Sequence, residues 1–87
     1  MDYLKFDLGF VNSDRIVEVT LQDIAANVRL LDSANYFNYV RNRTFFGIGG
    51  LAKTSPVIFT IPTSDHWYVV VDMEGLQGTP VASVKLR

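Results

Sequence analysis

The amino-acid sequence predicts an all-β fold: a compact antiparallel β-sandwich, jelly-roll, immunoglobulin-like or barrel-like in form, with about six to eight short strands. Three observations support this prediction. Apolar and polar side chains alternate along most of the chain, and a period of two is typical of a half-buried strand. The alternating segments are rich in β-branched and aromatic residues. Turn-forming residues separate these segments at short intervals.

The predicted strands follow one another as short segments of similar length. They are YLKFDLGF, RIVEVTLQ, NVRLLD, VIFTIP, HWYVVVDM and VASVKLR. The last two segments are expected to pair antiparallel through the connection 74–80, which is long for a hairpin but within reach. The residues expected to face the core are the apolar members of these strands: Val17, Val19, Leu21, Val28, Leu30, Trp67, Val69, Val71, Val84 and Leu86.

A long connection, residues 33–50, separates the third segment from the fourth. Ser33 could cap a helix there, but the aromatic and asparagine residues that follow are mediocre helix formers. The sequence therefore predicts a loop with at most one short helical turn. We interpret this loop as a crossing from one sheet to the other, with asparagine side chains bonding locally to the backbone.

Composition limits the classes to which the protein can belong. The chain has 87 residues with a formal charge of −1, so one domain spanning 1–87 is expected. No global positive field would attract it to double-stranded nucleic acid or to an anionic membrane. It has no cysteine, hence no disulfide framework. Charges interrupt the first apolar segment and no apolar run approaches a membrane span, which favours a cytoplasmic protein.

No motif in the sequence indicates catalysis, a bound metal or a cofactor. His66 is the only histidine, and a lone histidine does not make a zinc site. A serine–histidine–aspartate triad depends on geometry, and no nucleophile-elbow sequence supports one. The glycine cluster Gly47–Gly50 fits neither the dinucleotide fingerprint nor the P-loop, so a turn with positive φ is preferred. The sequence thus predicts a protein that is not an enzyme, with no catalytic residues.

One window of the sequence, from Ser33 to Ser64, carries no acidic residue but holds Arg41, Arg43 and Lys53 among six aromatic residues. Arginine offers forked donors to phosphate or carboxylate, and aromatic rings offer stacking faces. This pattern predicts a ligand- or partner-binding site. Its candidate residues are Asn35, Tyr36, Tyr39, Arg41, Arg43, Gly49, Gly50 and His66.

A structural salt bridge is the alternative interpretation of the two arginines. An acid from outside the window, such as Asp32, Asp65 or Asp72, could reach Arg41 or Arg43. Arginine is almost never fully buried unless it is paired. The two interpretations differ in whether removal of the arginine affects binding or stability.

The chain also resembles the DUF1883 family of bacterial domains. The resemblance lies in DLG, VEVTL, ANVRLLDSANYFNY, the paired glycines, SPVIFTIP and HWYVVVDMEGLQGTPVASVKL. It implies a compact all-β sandwich of unestablished function. Family members occur as small separate proteins and, in some bacteria, joined to TIR domains of NAD-cleaving and signalling systems.

Two function classes follow from these observations. The first is a non-catalytic interaction module of a bacterial cytoplasmic protein, which binds a protein partner or self-associates. The second is a binding domain for a small nucleotide-like anion, linked to signalling or defence.

Overall fold

The computed structural model describes residues 2–87 and forms a sandwich of two antiparallel sheets with one short helix. Sheet A has the strand order β1-β6-β3-β4, and sheet B has the order β5-β2-β7. The elements are β1 Tyr3–Val11, β2 Ile16–Leu21, β3 Ala26–Asp32, α1 Ser33–Val40, β4 Ile48–Ala52, β5 Val57–Thr60, β6 Asp65–Asp72 and β7 Ala82–Leu86. The all-β sandwich predicted from the sequence is confirmed.

The core lies between the two sheets, where the period-two pattern placed it. Val17 and Val19 of β2 face Val69 and Val71 of β6, and all four are completely buried. Trp67 is buried in the same cluster and donates its indole N–H to the Thr63 carbonyl. Val84 and Leu86 of β7 pack on this cluster while remaining partly exposed. The predicted core set is therefore confirmed.

The predicted pairing of the last two strands is wrong. β6 lies in the middle of sheet A, where β1 and β3 occupy its two edges. No edge of β6 remains for β7, which instead pairs with β2 in sheet B. Residues 73–81 thus carry the chain from one sheet to the other, and Gly75 and Gly78 take positive φ values there. They shape a crossing rather than a hairpin.

The prediction for residues 33–50 is also wrong on two points. The segment does not cross between sheets, because β3 and β4 are neighbours in sheet A. It contains an eight-residue helix rather than a single turn, and Asp32, not Ser33, is its N-cap, accepting from the Asn35 backbone N–H. Helix propensity is overridden here because Tyr36 and Tyr39 bury their rings against sheet A.

Two of the glycines predicted to form a turn lie inside a strand. Gly49 and Gly50 belong to β4, opposite Arg29 and Val28 of β3. Gly49 has a φ of +102°, and a Cβ on it would lie 2.4 Å from the Val28 carbonyl oxygen. A close approach of backbone to backbone therefore requires glycine at this position.

Candidate functional site

The helix covers the outer face of sheet A, which would otherwise be open to solvent. Leu31 of β3 and Val70 of β6 point outward and are completely buried beneath Tyr36 and Tyr39. Outward-facing residues of β1, β3 and β6 thus meet the helix in a second, smaller core. This core gathers the four tyrosines of the chain and one phenylalanine: Tyr3, Tyr36, Tyr39, Tyr68 and Phe45.

A buried carboxylate organises one end of this face. Asp72, the last residue of β6, is completely buried. It accepts hydrogen bonds from the Tyr39 hydroxyl at 2.6 Å, Asn27 Nδ2 at 2.9 Å, the Glu74 backbone N–H at 3.1 Å and Arg29 Nη1 at 3.3 Å. We call Asp72, Asn27, Arg29 and Tyr39 the Asp72 network. Among residues 2–87, no buried side-chain polar atom lacks a hydrogen-bond partner.

The pKa values of this network follow from burial and hydrogen bonding. Burial opposes ionisation of Asp72, but the hydrogen bonds from Tyr39, Asn27 and the Glu74 N–H, together with the charge of Arg29, outweigh it, so the pKa of Asp72 lies below its usual value. Burial raises the pKa of Tyr39 strongly, and its hydrogen bond to the Asp72 carboxylate raises it further. The network therefore holds a carboxylate and a neutral phenol at neutral pH.

An open cleft of about 550 Å³ lies directly beside the Asp72 network. Its lining combines donors, acceptors and one aromatic ring: Asn27, Arg29, Tyr39, Asn42, Arg43, Phe45, Glu74 and Gly75. The Arg29 side chain is 26% exposed, and its guanidinium lies 5.6 Å from the centroid of the Phe45 ring. Phe45 in turn meets Tyr39 edge to face. The cleft thus has a floor of interlocked side chains and an exposed rim.

The loop after α1 places Arg43 and Asn42 on that rim. The Arg43 backbone N–H donates to the Asn38 carbonyl, and the Asn42 N–H donates to the Tyr39 carbonyl. Asn42 takes a φ of +57°, a left-handed conformation that asparagine tolerates better than most residues. The chain therefore turns sharply at the helix end, and both side chains are exposed beside the cleft.

The structure brings only two of the predicted site residues, Tyr39 and Arg43, to this cleft. Arg41 points elsewhere and lies 5.0 Å from the centroid of the Phe37 ring. Neither Arg41 nor Arg43 forms an ion pair with an acid in the part of the chain described, whereas Arg29 pairs with Asp72. The structural salt bridge considered for the two arginines is thus made by a different arginine.

Other predicted site residues have structural roles. Asn35 joins the start of the helix to the segment before β4, because its side chain donates to Asp32 and accepts from the Phe46 N–H. Tyr36 stacks on Tyr68 with centroids 4.0 Å apart, and burial raises its pKa well above the usual value. Gly49 and Gly50 lie in β4 and do not line the cleft.

His66 lies at the opposite end of β6 from the cleft. Its Nε2 is 2.5 Å from Asp7 Oδ1, and its ring stacks on Tyr68. The hydrogen bond from the Gly9 N–H lowers the pKa of Asp7, and the contact with His66 lowers it further. His66 and Asp72 are six positions apart in β6, a distance of roughly 20 Å along a strand. His66 is therefore not part of the cleft.

Sequence reasoning missed most of the cleft, including Asn27, Arg29, Asn42, Phe45 and Glu74. A signal was present in β6, whose three consecutive valines indicate a strand buried on both faces. A covering element over the outer face follows from that pattern. Polar residues of β3 and β6 next to the covered part of the sheet are then candidates for a binding site, because they lie at the border of a packed element.

Comparison with known proteins places the chain within one family. The family model of DUF1883, a domain of unknown function, matches residues 1–87. No curated protein and no solved structure matches the chain. Within residues 2–87, no group of three or more histidine, cysteine or acidic side chains could hold a metal ion. No helix in that range has the length and apolarity needed to cross a membrane.

Proposed function

We propose that this chain, which belongs to the DUF1883 family, is a non-catalytic binding module of the bacterial cytoplasm. Its recognition site is the cleft beside the Asp72 network. One observation carries the proposal. Arg43 is exposed on the rim of a cleft with a rigid floor, and its side chain forms no hydrogen bond or ion pair within residues 2–87. Such a guanidinium is available to an anion from outside.

A second arginine supports an anionic ligand. Arg29 Nη1 is bonded to Asp72, but a guanidinium carries five N–H donors, so donors remain on the exposed part of this side chain. Because Asp72 and the Phe45 ring hold this guanidinium in place, it binds with little further loss of rotamer freedom. A phosphate or carboxylate between Arg29 and Arg43 would meet two forked donors.

The remaining lining narrows the class of ligand. Asn27 Nδ2 donates both hydrogens within the protein, to Asp72 and to the Glu74 carbonyl, which leaves its Oδ1 as an acceptor. Glu74 is exposed and also lines the cleft. A simple anion would be repelled by Glu74, whereas an anion that also carries hydroxyl or amino groups would donate to it.

The size and apolar component of the cleft agree with a nucleotide-like ligand. A volume of about 550 Å³ lies within the range of small-molecule sites. Phe45 is half-buried and adds an apolar surface beside the charged groups. We therefore propose a nucleotide-like anion as the ligand, with its phosphate at Arg43 and Arg29 and its hydroxyl or amino groups at Glu74 and Asn27.

The absence of catalysis is part of the proposal. Catalysis by a nucleophile would need a base within hydrogen-bond reach of it. The His66 ring bonds to Asp7 at the far end of the face, and within residues 2–87 no serine or threonine hydroxyl bonds to that ring. The carboxylate of Asp72, beside the cleft, is completely buried and already accepts four hydrogen bonds.

The test compares Arg43→Gln with Arg41→Gln, a matched control, because both arginines are exposed and only Arg43 lines the cleft. Thermal shift and calorimetric titration use adenosine monophosphate, inorganic phosphate and uncharged adenosine as probes. We expect the monophosphate to stabilise the wild type by mass action and to bind more weakly as salt is raised.

Arg43→Gln should raise the dissociation constant for the monophosphate at least about tenfold, since a hydrogen bond to a charged group contributes roughly 1.5–3 kcal/mol. Arg41→Gln should bind like the wild type. The proposal fails if no probe binds, if adenosine binds as well as its monophosphate, or if the two variants weaken binding equally.

A further inference from the structure

The two sheets of the sandwich have four edges, and three of them carry features that oppose pairing with another strand. β1 presents the charged Lys5 and Asp7 and has a bulge just after Asp7. β7 is five residues long and carries the exposed Lys85. β5 has only four residues and lies between Pro56 and Pro62, which lack backbone N–H groups. Charges, bulges, prolines and short length are the usual protections of an edge.

The fourth edge, β4, has none of these protections except modest length. It contains no charge and no proline, and no charged residue lies between Thr44 and Ala52. Its only strand neighbour is β3. In the described chain, no loop or side chain makes a hydrogen bond to the backbone of residues 48–52. The outer row of backbone donors and acceptors of β4 is therefore unpaired within the described chain.

Exposed apolar side chains accompany this edge. Ile48 is 42% exposed and Leu51 is 54% exposed, one on each side of the two central glycines. Phe46, two residues before the strand, is 83% exposed, the largest value among the large apolar residues of residues 2–87. Isolated exposed apolar residues are ordinary, but here they follow an unprotected strand edge.

We infer that β4 is the pairing edge of a symmetric dimer, in which it lies antiparallel to β4 of a second copy of this chain. With the two-fold axis through Gly50, Gly50 lies opposite its own counterpart. Ile48 then lies opposite the partner copy's Ala52, and Leu51 lies opposite the partner copy's Gly49. Every large side chain of the strand faces a small one, so the strand is sterically complementary to itself.

Electrostatics favours a second copy over a charged partner. Because residues 44–52 carry no charge, two copies of β4 approach without like-charge repulsion. A partner selected by charge would find no complementary group on this edge. Each copy has one such edge, so antiparallel pairing about a two-fold axis closes at two copies and joins two four-stranded sheets into one of eight strands.

The dimer inference is independent of the proposed ligand, because no residue of β4 lines the cleft. Sedimentation velocity of the full chain over a range of protein concentrations should show a reversible monomer–dimer equilibrium. Leu51→Lys should raise the dissociation constant at least about tenfold, since it places like charges at the interface. Val81→Lys is the matched control, being 50% exposed and outside β4, and it should leave the equilibrium unchanged.

A cross-linking experiment tests the register. The chain has no cysteine, so Ile48→Cys combined with Ala52→Cys introduces the only thiols. These positions lie four residues apart on one strand, roughly 13 Å, too far for a disulfide within one copy. Across the proposed axis they are directly opposite, and oxidised glutathione should give a covalent dimer with intact circular dichroism.

Three results would overturn the inference. The first is a wild-type chain that stays monomeric at all concentrations. The second is a dimer that Leu51→Lys and Val81→Lys affect equally. The third is a wild-type dimer in which the double-cysteine variant gives no covalent product. If Leu51→Lys proves unfolded by circular dichroism, Ile48→Lys at the other end of the strand replaces it in the same comparison.

Discussion

Removal of the Tyr39 hydroxyl isolates one hydrogen bond of the Asp72 network. In Tyr39→Phe the ring is retained, together with its edge-to-face contacts to Tyr3 and Phe45, each with centroids 5.2 Å apart. The carboxylate of Asp72 loses the donor that lies 2.6 Å away, and three donors remain. The packing of α1 on sheet A is preserved, so the change acts on a single buried polar interaction.

The expected loss of stability is about 2 kcal/mol. A hydrogen bond to a charged group contributes roughly 1.5–3 kcal/mol, and Asp72 is completely buried, so water does not replace the missing donor without local opening. A domain of this size has a free energy of unfolding of roughly 4–13 kcal/mol. The substitution should therefore leave a folded protein with a clearly lower urea midpoint.

Trp67 supplies the signal for this measurement, because it is the one tryptophan and is buried in the core. Urea unfolding followed by its fluorescence gives the free energy of unfolding and the m-value. Tyr68→Phe is the matched control: Tyr68 is half-buried on the same face, and its hydroxyl makes no hydrogen bond within residues 2–87. Its loss should stay within about 0.5 kcal/mol. Equal losses in the two variants would refute the role assigned to the Tyr39 hydroxyl.

Three further predictions concern pH, backbone geometry and the core. The folded protein lowers the pKa of Asp72, so the ionised carboxylate contributes stability above the ordinary aspartate pKa near 4. That stability is lost as the pH falls through the lowered pKa. In acid titrations, Asp72→Asn should therefore show a shallower loss of folding stability than the wild type. Gly49→Ala should lower the free energy of unfolding in urea by at least about 2 kcal/mol, because the added Cβ would clash with the Val28 carbonyl at a positive φ. A urea midpoint equal to that of the wild type would contradict this. Val69→Ala should lose about 1–3 kcal/mol through lost burial and the cavity left behind, while the exposed Thr20→Ala stays within about 0.5 kcal/mol; similar losses would contradict the core assignment.

Of the candidate site, the sequence identified Arg43 and Tyr39 and little else. The window without acids includes the loop after α1, where Arg43 is exposed. It did not indicate Arg29 or Glu74, since nothing local distinguishes a strand arginine beside a cleft from one on a solvated face. The hydrogen bonds that define the site join residues 33 to 45 positions apart, a separation that local patterns do not report.

The alternation of apolar and polar residues in the sequence is sufficient to predict the fold class and the core-facing side of the strands. Both depend on the alternation of side chains along a strand, which is a local property, and Val17, Val19, Val69 and Val71 lie in the core as that alternation predicts. Which strands are neighbours is a property of the tertiary structure, because pairing depends on which edges remain open once the other strands are placed. For this reason β7 lies in sheet B, where an edge of β2 is open to it. In the same way, α1 packs on the outer face of sheet A. The Asp72 network and its cleft exist because that helix covers one part of the face and ends beside Arg29.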